Sequence, residues 1–225
     1  MVQLIPQLDP NMSAVSETIV REFFELHCFF VRQHRKYVAP TRREDEEIDF
    51  FVLNPRFRKS ETALPFVLES TDLQGVARAV VGVKGWHTET FSSAVIGNSP
   101  EIFRFVEPQI FQQAVKTFEG DGPLTKILVV PALPQNAQAR GQSIDLLREK
   151  GIDAVIPFRT ILADLIERTE ANRNYQKSDV LQMIRILKNY DFFKEPQMEL
   201  FKAKRKRKRE TSGTGESSDV VTTGG

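Results

Sequence analysis

Lys84, Asp49 and Glu22 are the residues whose types and settings invite chemistry. Lys84 follows the run 77–83, in which five of seven residues are apolar and three are valine. Such a run reads as a buried central strand. An ammonium at its end must reach solvent or meet an anion. It therefore either snorkels to water or faces a cleft in which anionic chemistry takes place. Asp49 stands near the start of a second apolar run, Ile-Asp-Phe-Phe-Val-Leu over 48–53, with apolar residues on both sides. Glu22 falls beside Ile19 and Leu26, on the border of an apolar helical face.

The elements that must hold these groups follow along the chain. Residues 1–12, with Pro6 and Pro10, read as an extended lead-in. Ser13 or Ser16 caps a first helix whose buried face is Val15, Ile19, Phe23 and Leu26, at spacings of four, four and three. His27 closes that helix, where a histidine is favourable. Residues 28–32 predict a strand that runs on through Tyr37; 48–53 predict a second, closed by Asn54-Pro55, and 66–70 a short third. The valine run is the next strand. Ser99-Pro100-Glu101 starts a helical stretch that reaches Phe118 and kinks or splits at Pro108. Residues 126–131 and 152–157 are buried strands on either side of a helix over 138–150 that ends at Gly151. Helices over 160–168 and 178–188 follow. Strand–helix–strand order predicts parallel pairing in the second half, and the run of strands an antiparallel meander in the first. The expected fold is α/β: a mixed central sheet, antiparallel strands first and a parallel βαβ unit second, with helices on both faces.

A helix with Glu22, a strand with Asp49 and a later central strand with Lys84 follow a known order. Over residues 14–170 the element order resembles that of the PD-(D/E)xK superfamily, the restriction-endonuclease-like nucleases. In that family the helix supplies a glutamate, a strand an aspartate, and the core strand a Glu/Asp-x-Lys tripeptide. The resemblance implies that the carboxylates hold Mg²⁺ (or Mn²⁺), which activates water, while the lysine steadies that water or the developing charge. Here the tripeptide is Gly82-Val83-Lys84, with glycine where the carboxylate belongs. Either another residue replaces that ligand, or the site has lapsed and holds no metal. Glu69 is the best replacement: it ends the third strand, inserted between the Asp49 strand and the lysine strand, and could reach the same end of the sheet. The resemblance thus assigns Lys84, Asp49 and Glu69 to catalysis, and Asp49, Glu69 and Glu22 to the metal. His87 and Glu89 lie just beyond Lys84; the histidine suits a proton carrier or phosphate contact better than a magnesium ligand.

Composition narrows the alternatives. The chain has 225 residues, enough for one domain, read as 13–200, with a tail over 201–225. Seven of the eight residues over 202–209 are basic. Seven positive and three negative charges follow Phe201, net +4, so the formal +1 of the whole leaves the body at about −3. Such a tail, with its Ser/Thr/Gly-rich end, reads as disordered and suits polyanion binding, with Lys204, Arg205, Lys206 and Arg207 at its centre. Arg35 and Lys36 lead a second basic set that, with Arg56, Arg58 and Lys59, flanks the Asp49 strand. Cys28 is the single cysteine, which excludes an internal disulfide and a multi-cysteine zinc site. No signal peptide, membrane-spanning run, glycine-rich phosphate loop, Gly-x-Ser-x-Gly elbow or zinc-helix histidine spacing is seen.

The reading is a nucleic-acid-processing protein: a Mg²⁺-dependent phosphodiesterase, or a relative with a lapsed site that still binds DNA or another nucleic acid. The alternative is a non-catalytic structural or protein-interaction module of the same fold. A cytoplasmic location is expected, nuclear for a eukaryotic source, with no membrane partner; a homodimer is left open.

Overall fold

The computed structural model describes residues 10–33, 47–59, 63–118 and 123–193. Helix α1 spans Pro10–Leu26 and leads into a meander of β1 (Phe30–Gln33), β2 (Phe50–Leu53) and β3 (Arg78–Val83). Then come α2 (Ser93–Asn98), a 3-10 helix over Pro100–Val106, α3 (Pro108–Thr117) and β4 (Leu124–Val130). α4 (Ala137–Glu149), β5 (Ala154–Pro157), α5 (Phe158–Arg168) and α6 (Asp179–Asn189) complete the order. The five strands form one sheet in chain order, antiparallel from β1 to β3 and parallel from β3 to β5. The α/β class, the mixed sheet and the parallel β4–α4–β5 unit are thus as expected.

Strand alternation divides the core into two layers. Ala79, Val81 and Val83 of β3 face Val20, Phe23 and Phe24 of α1 and Ile161 and Leu165 of α5. Val80 faces the other way, with Leu128, toward Ile102, Phe105 and Ile110. β3 is buried at all six positions, which explains its near-continuous apolar reading. Gly151, at φ +86°, ends α4 in the left-handed conformation that glycine adopts without strain. No helix among the described residues is long and apolar enough to cross a membrane.

Several boundaries differ from expectation, each for a local reason. α1 begins at Pro10, ahead of either serine cap, and Val15 is 61% exposed rather than buried. The buried face instead runs through Ser16, Val20, Phe23 and Phe24. Cys28 takes a positive φ of 65°, so β1 starts two residues later. Residues 34–46, which include Arg35 and Lys36, lie outside the described residues, as does everything after Phe193 with Lys204–Arg207. The helical stretch after Ser99 does split before Pro108: a 3-10 segment ends at Val106 and α3 restarts with the proline as its first residue.

The largest correction concerns the third strand. Residues 66–70 do not insert between β2 and β3, which pair directly. Val67 makes a single parallel bridge to Val155, flanked by Val155 N–H to Phe66 O (2.7 Å) and Leu68 N–H to Val155 O (2.9 Å). This segment therefore lies beyond β5, on the far edge of the sheet. Glu69 then opens a 3-10 turn over Ser70–Gly75, with its N–H donated to Asp72 Oδ2 at 2.8 Å.

Candidate functional site

The C-terminal end of β3 brings Asp49 and Lys84 to the same end of the sheet. Phe50 pairs with Val81, so one step outward Asp49 faces Gly82. Asp49 donates its own N–H to Val81 O at 3.1 Å. Its Oδ2 accepts the Val83 N–H at 2.6 Å. The carboxylate thus completes the ladder where β2 would otherwise leave a buried donor unmet. Lys84 keeps its N–H on Val129 O at 3.1 Å, so it still belongs to the β3–β4 ladder. Alternation puts its side chain on the Gly82 side of the sheet. It is half-buried and forms no ion pair with a described residue.

Gly82 occupies the position that the Glu/Asp-x-Lys pattern gives to a carboxylate. A Cβ built there would lie 2.8 Å from two ring atoms of Phe105 and 3.1 Å from a third. Phe105 is fully buried among Ile102, Ile110 and Val80. The aromatic ring has taken the space where a side chain would start.

The other expected ligands lie elsewhere. Glu69 is four strand spacings from β2, about 19 Å across the sheet. It is exposed there, in a cleft it shares with Arg159, Thr160 and Glu167. Glu22 lies on α1, which covers the face opposite Gly82. It is buried, bonded by the Ser178 hydroxyl at the start of α6, and 3.6 Å from Arg21. Burial holds its pKa above the ordinary carboxylate value, against the hydrogen bond from Ser178. His87 turns away from Lys84 to share a 2.9 Å hydrogen bond with Ser16 Oγ and stack edge-on against Phe158. Glu89 is exposed, and Glu47 pairs with Arg104 at 3.4 Å. Mg²⁺ takes an octahedral set of oxygens at about 2.0–2.1 Å, commonly one or two carboxylates plus water. The donor set among the described residues, a single carboxylate that accepts a backbone N–H beside a ring-filled glycine, does not fit that requirement. Among the described residues no group of three or more His, Cys, Asp or Glu is placed to share a metal ion.

A second polar centre went unread in the sequence. Asp164 is 5% exposed and accepts from His27 Nε2–H at 2.8 Å and from Arg168 Nε–H at 2.9 Å, with Ser70 as a third donor. Burial alone would raise its pKa, but the hydrogen bonds from Arg168, His27 and Ser70 outweigh it and hold it below the ordinary value. Burial pushes His27 the other way, toward the neutral imidazole, so its place is set by Asp164 rather than by the helix dipole. A signal was present: Asp164 shares the helical face of Ile161, Leu165 and Arg168 at spacings of three and four. The centre ties α1, α5 and the turn after Glu69 together.

The sequence matches no protein-family model, and no curated protein or solved structure is significantly similar to it.

Proposed function

We propose that this protein binds nucleic acid through the Lys84 end of a restriction-endonuclease-like sheet and no longer cleaves it. The observation that carries this reading is the Phe105 ring standing over Gly82. Two further features support it. The Asp49 carboxylate accepts the Val83 N–H, and Lys84, a half-buried residue, makes no ion pair with a described residue. An ammonium carried at the end of a buried strand is placed to meet an anion that comes to that end of the sheet. The basic run over 202–209 adds sequence-independent contacts to phosphates.

The test is a pair of assays on the full chain. Fluorescence anisotropy with labelled single-stranded and duplex DNA should show binding that weakens steeply with salt. Lys84→Ala should weaken it about three- to tenfold, the scale of one phosphate contact of roughly 1 kcal/mol. Plasmid and single-stranded DNA incubated with Mg²⁺ or Mn²⁺ should remain as intact as in EDTA. Metal-dependent cleavage that disappears in Asp49→Ala would overturn the lapsed site. Binding that ignores both salt and Lys84 would overturn the nucleic-acid partner and favour the interaction module.

A further inference from the structure

Positive charge also collects at the opposite end of the sheet. A cleft of about 380 Å³ opens there, between the end of α1, the loop after β2, the 3-10 turn after Glu69 and the end of α5. Its rim carries Arg56, Arg58 and Arg168, with His27, Ser70 and Thr71 between them. Asn54 N–H to Ala77 O at 2.8 Å fixes this as the starting end of β3. Six strand residues at about 3.3 Å each then separate it from Lys84 by about 20 Å.

The loop that presents the arginines is pinned rather than loose. Arg56 N–H is donated to Asn54 Oδ1 at 2.8 Å, Arg58 N–H to Gln74 O at 3.1 Å, and Asn54 Nδ2 to Leu73 O at 3.3 Å. The side chains of Arg56 and Arg58 are exposed, and neither pairs with a carboxylate of the described residues. Arg168 spends only its Nε on Asp164, which leaves its two terminal nitrogens to the cleft. Among the described residues that line the cleft there is no carboxylate; Asp164 borders it through His27, Ser70 and Arg168, and its oxygens already serve those three donors. Among the described residues at the cleft, three guanidinium groups against the Asp164 carboxylate leave an excess of +2. The C-termini of α1 and α5 also end here, and their carbonyls favour a cation. Arg168 meets that need for α5. Arg56 and Arg58 add two further guanidinium groups at the rim.

We propose that this cleft binds a phosphate group, with Arg56 and Arg58 as the principal donors and Arg168 as the third. Guanidinium forks match phosphate oxygens in pairs, and several converging on one cleft suit a group of charge near −2 better than a single carboxylate. The Thr71 hydroxyl adds a donor of the kind that commonly completes such a site, while the Ser70 hydroxyl is already given to Asp164. The site is separate from the Lys84 end and does not depend on the function proposed for it.

Calorimetric titration of the full chain with sodium phosphate, against sodium chloride at equal ionic strength, tests it. Phosphate should bind with one site per chain and chloride should give no heat beyond dilution. Arg56→Ala/Arg58→Ala should bind phosphate at least tenfold more weakly, whereas Lys84→Ala and alanine at Lys204, Arg205, Lys206 and Arg207 should bind like the parent. Equal affinity in the arginine variant, or loss in either of the other two, would overturn the site. Amide resonances of Ser70 and Thr71 in the parent should shift on adding phosphate; unmoved resonances would overturn it without recourse to any variant. A dinucleotide with a 5′-phosphate separates the sources. Tighter binding than inorganic phosphate identifies a nucleic-acid end, equal binding identifies the free ion, and binding unchanged by removing the 5′-phosphate would overturn recognition of that group.

Discussion

The two ends of the sheet use a buried or half-buried aspartate in different ways. At the end of β3, Asp49 holds a strand ladder closed by accepting one backbone N–H. At the other end, Asp164 holds helices together by accepting from His27 just after α1, from Arg168 of α5 and from Ser70 of the turn between them. The first carboxylate serves a backbone donor at the Lys84 end of the sheet; the second accepts from three side chains. At the first end Lys84 makes no ion pair with a described residue. At the Asp164 end the surplus comes from arginines outside the network. A carboxylate beside a lysine is thus not enough for metal chemistry: what else its oxygens serve decides.

Removing Asp164 should produce the largest change. Asp164→Ala leaves the His27 N–H and the Ser70 hydroxyl without their acceptor and frees Arg168. Breaking a buried pair from one side costs about 3 kcal/mol or more, or roughly 6–12 °C in melting temperature for a domain of this size. The pH dependence carries a sign as well. The folded pKa of His27 lies below its unfolded value, so its contribution is present above about pH 6.5 and is lost as pH falls through that value. Asp164, with its folded pKa also lowered, contributes above about pH 4 and loses that as pH falls further. Urea melts of the parent should weaken in both windows. If Asp164→Ala melts within 2 °C of the parent, the network is not what joins α1 to α5.

Gly82 comes next, because its neighbour is a ring rather than solvent. Gly82→Ala places a Cβ 2.8 Å from Phe105 and should cost about 1–3 kcal/mol. Gly82→Glu should cost more, and should not restore cleavage, because its side chain would have to start where the Phe105 ring already stands. Phe105→Leu should recover part of the loss in the double variant, a coupling of about 1 kcal/mol in a thermodynamic cycle. Metal-dependent cleavage in a folded Gly82→Glu would show that Phe105 yields and that the site is only one residue from activity.

Asp49→Ala tests the sign of the same comparison. A carboxylate waiting for a metal among like charges destabilises the apo protein, and its removal stabilises it. A carboxylate that accepts a backbone N–H does the reverse. Losing the 2.6 Å bond to Val83 N–H should cost about 1–2 kcal/mol in a denaturant titration. Asp49→Asn keeps an acceptor oxygen and should cost less than half as much. A stability gain in Asp49→Ala would return the residue to the metal reading.

The sequence made the fold easier to read than the site. Apolar runs and their order carried β2–β5, the βα alternation, the split at Pro108 and the end of α4 at Gly151. These features are set by local residues and by which faces are buried. The placement of Glu69 was not local: it depends on whether Val67 pairs with β3 or with Val155, and an apolar pair suits either. The fate of Gly82 turned on Phe105, 23 residues later, whose aromatic ring reads as core wherever it lands. Asp49 and Lys84 were found because an acid and a base stood out against apolar runs. Asp164 stood out just as clearly on its helix, but only the distance to His27, 137 residues earlier, gives it meaning.

Glu22 should give the smallest effect, and its direction is the informative part. Its folded pKa lies above the unfolded value, so folding favours the protonated carboxyl. Its favourable contribution is therefore fully present below about pH 4.5 and is lost as pH rises through the folded pKa. At pH 7.5 the native state carries an ionised group in a site that disfavours its charge. Glu22→Gln removes that charge and keeps an oxygen for the Ser178 hydroxyl. It should stabilise the protein at pH 7.5 by about 0.5–1 kcal/mol, and the difference should close toward zero by pH 4. Melting curves at both pH values decide it. Arg21, at 3.6 Å and half-exposed, opposes this outcome by favouring the ionised form. A Glu22→Gln variant less stable than the parent at pH 7.5 would mean that Arg21 and Ser178 together outweigh burial. The α1–α6 contact would then be held by an ion pair, much as Asp164 and Arg168 serve the neighbouring end of α5.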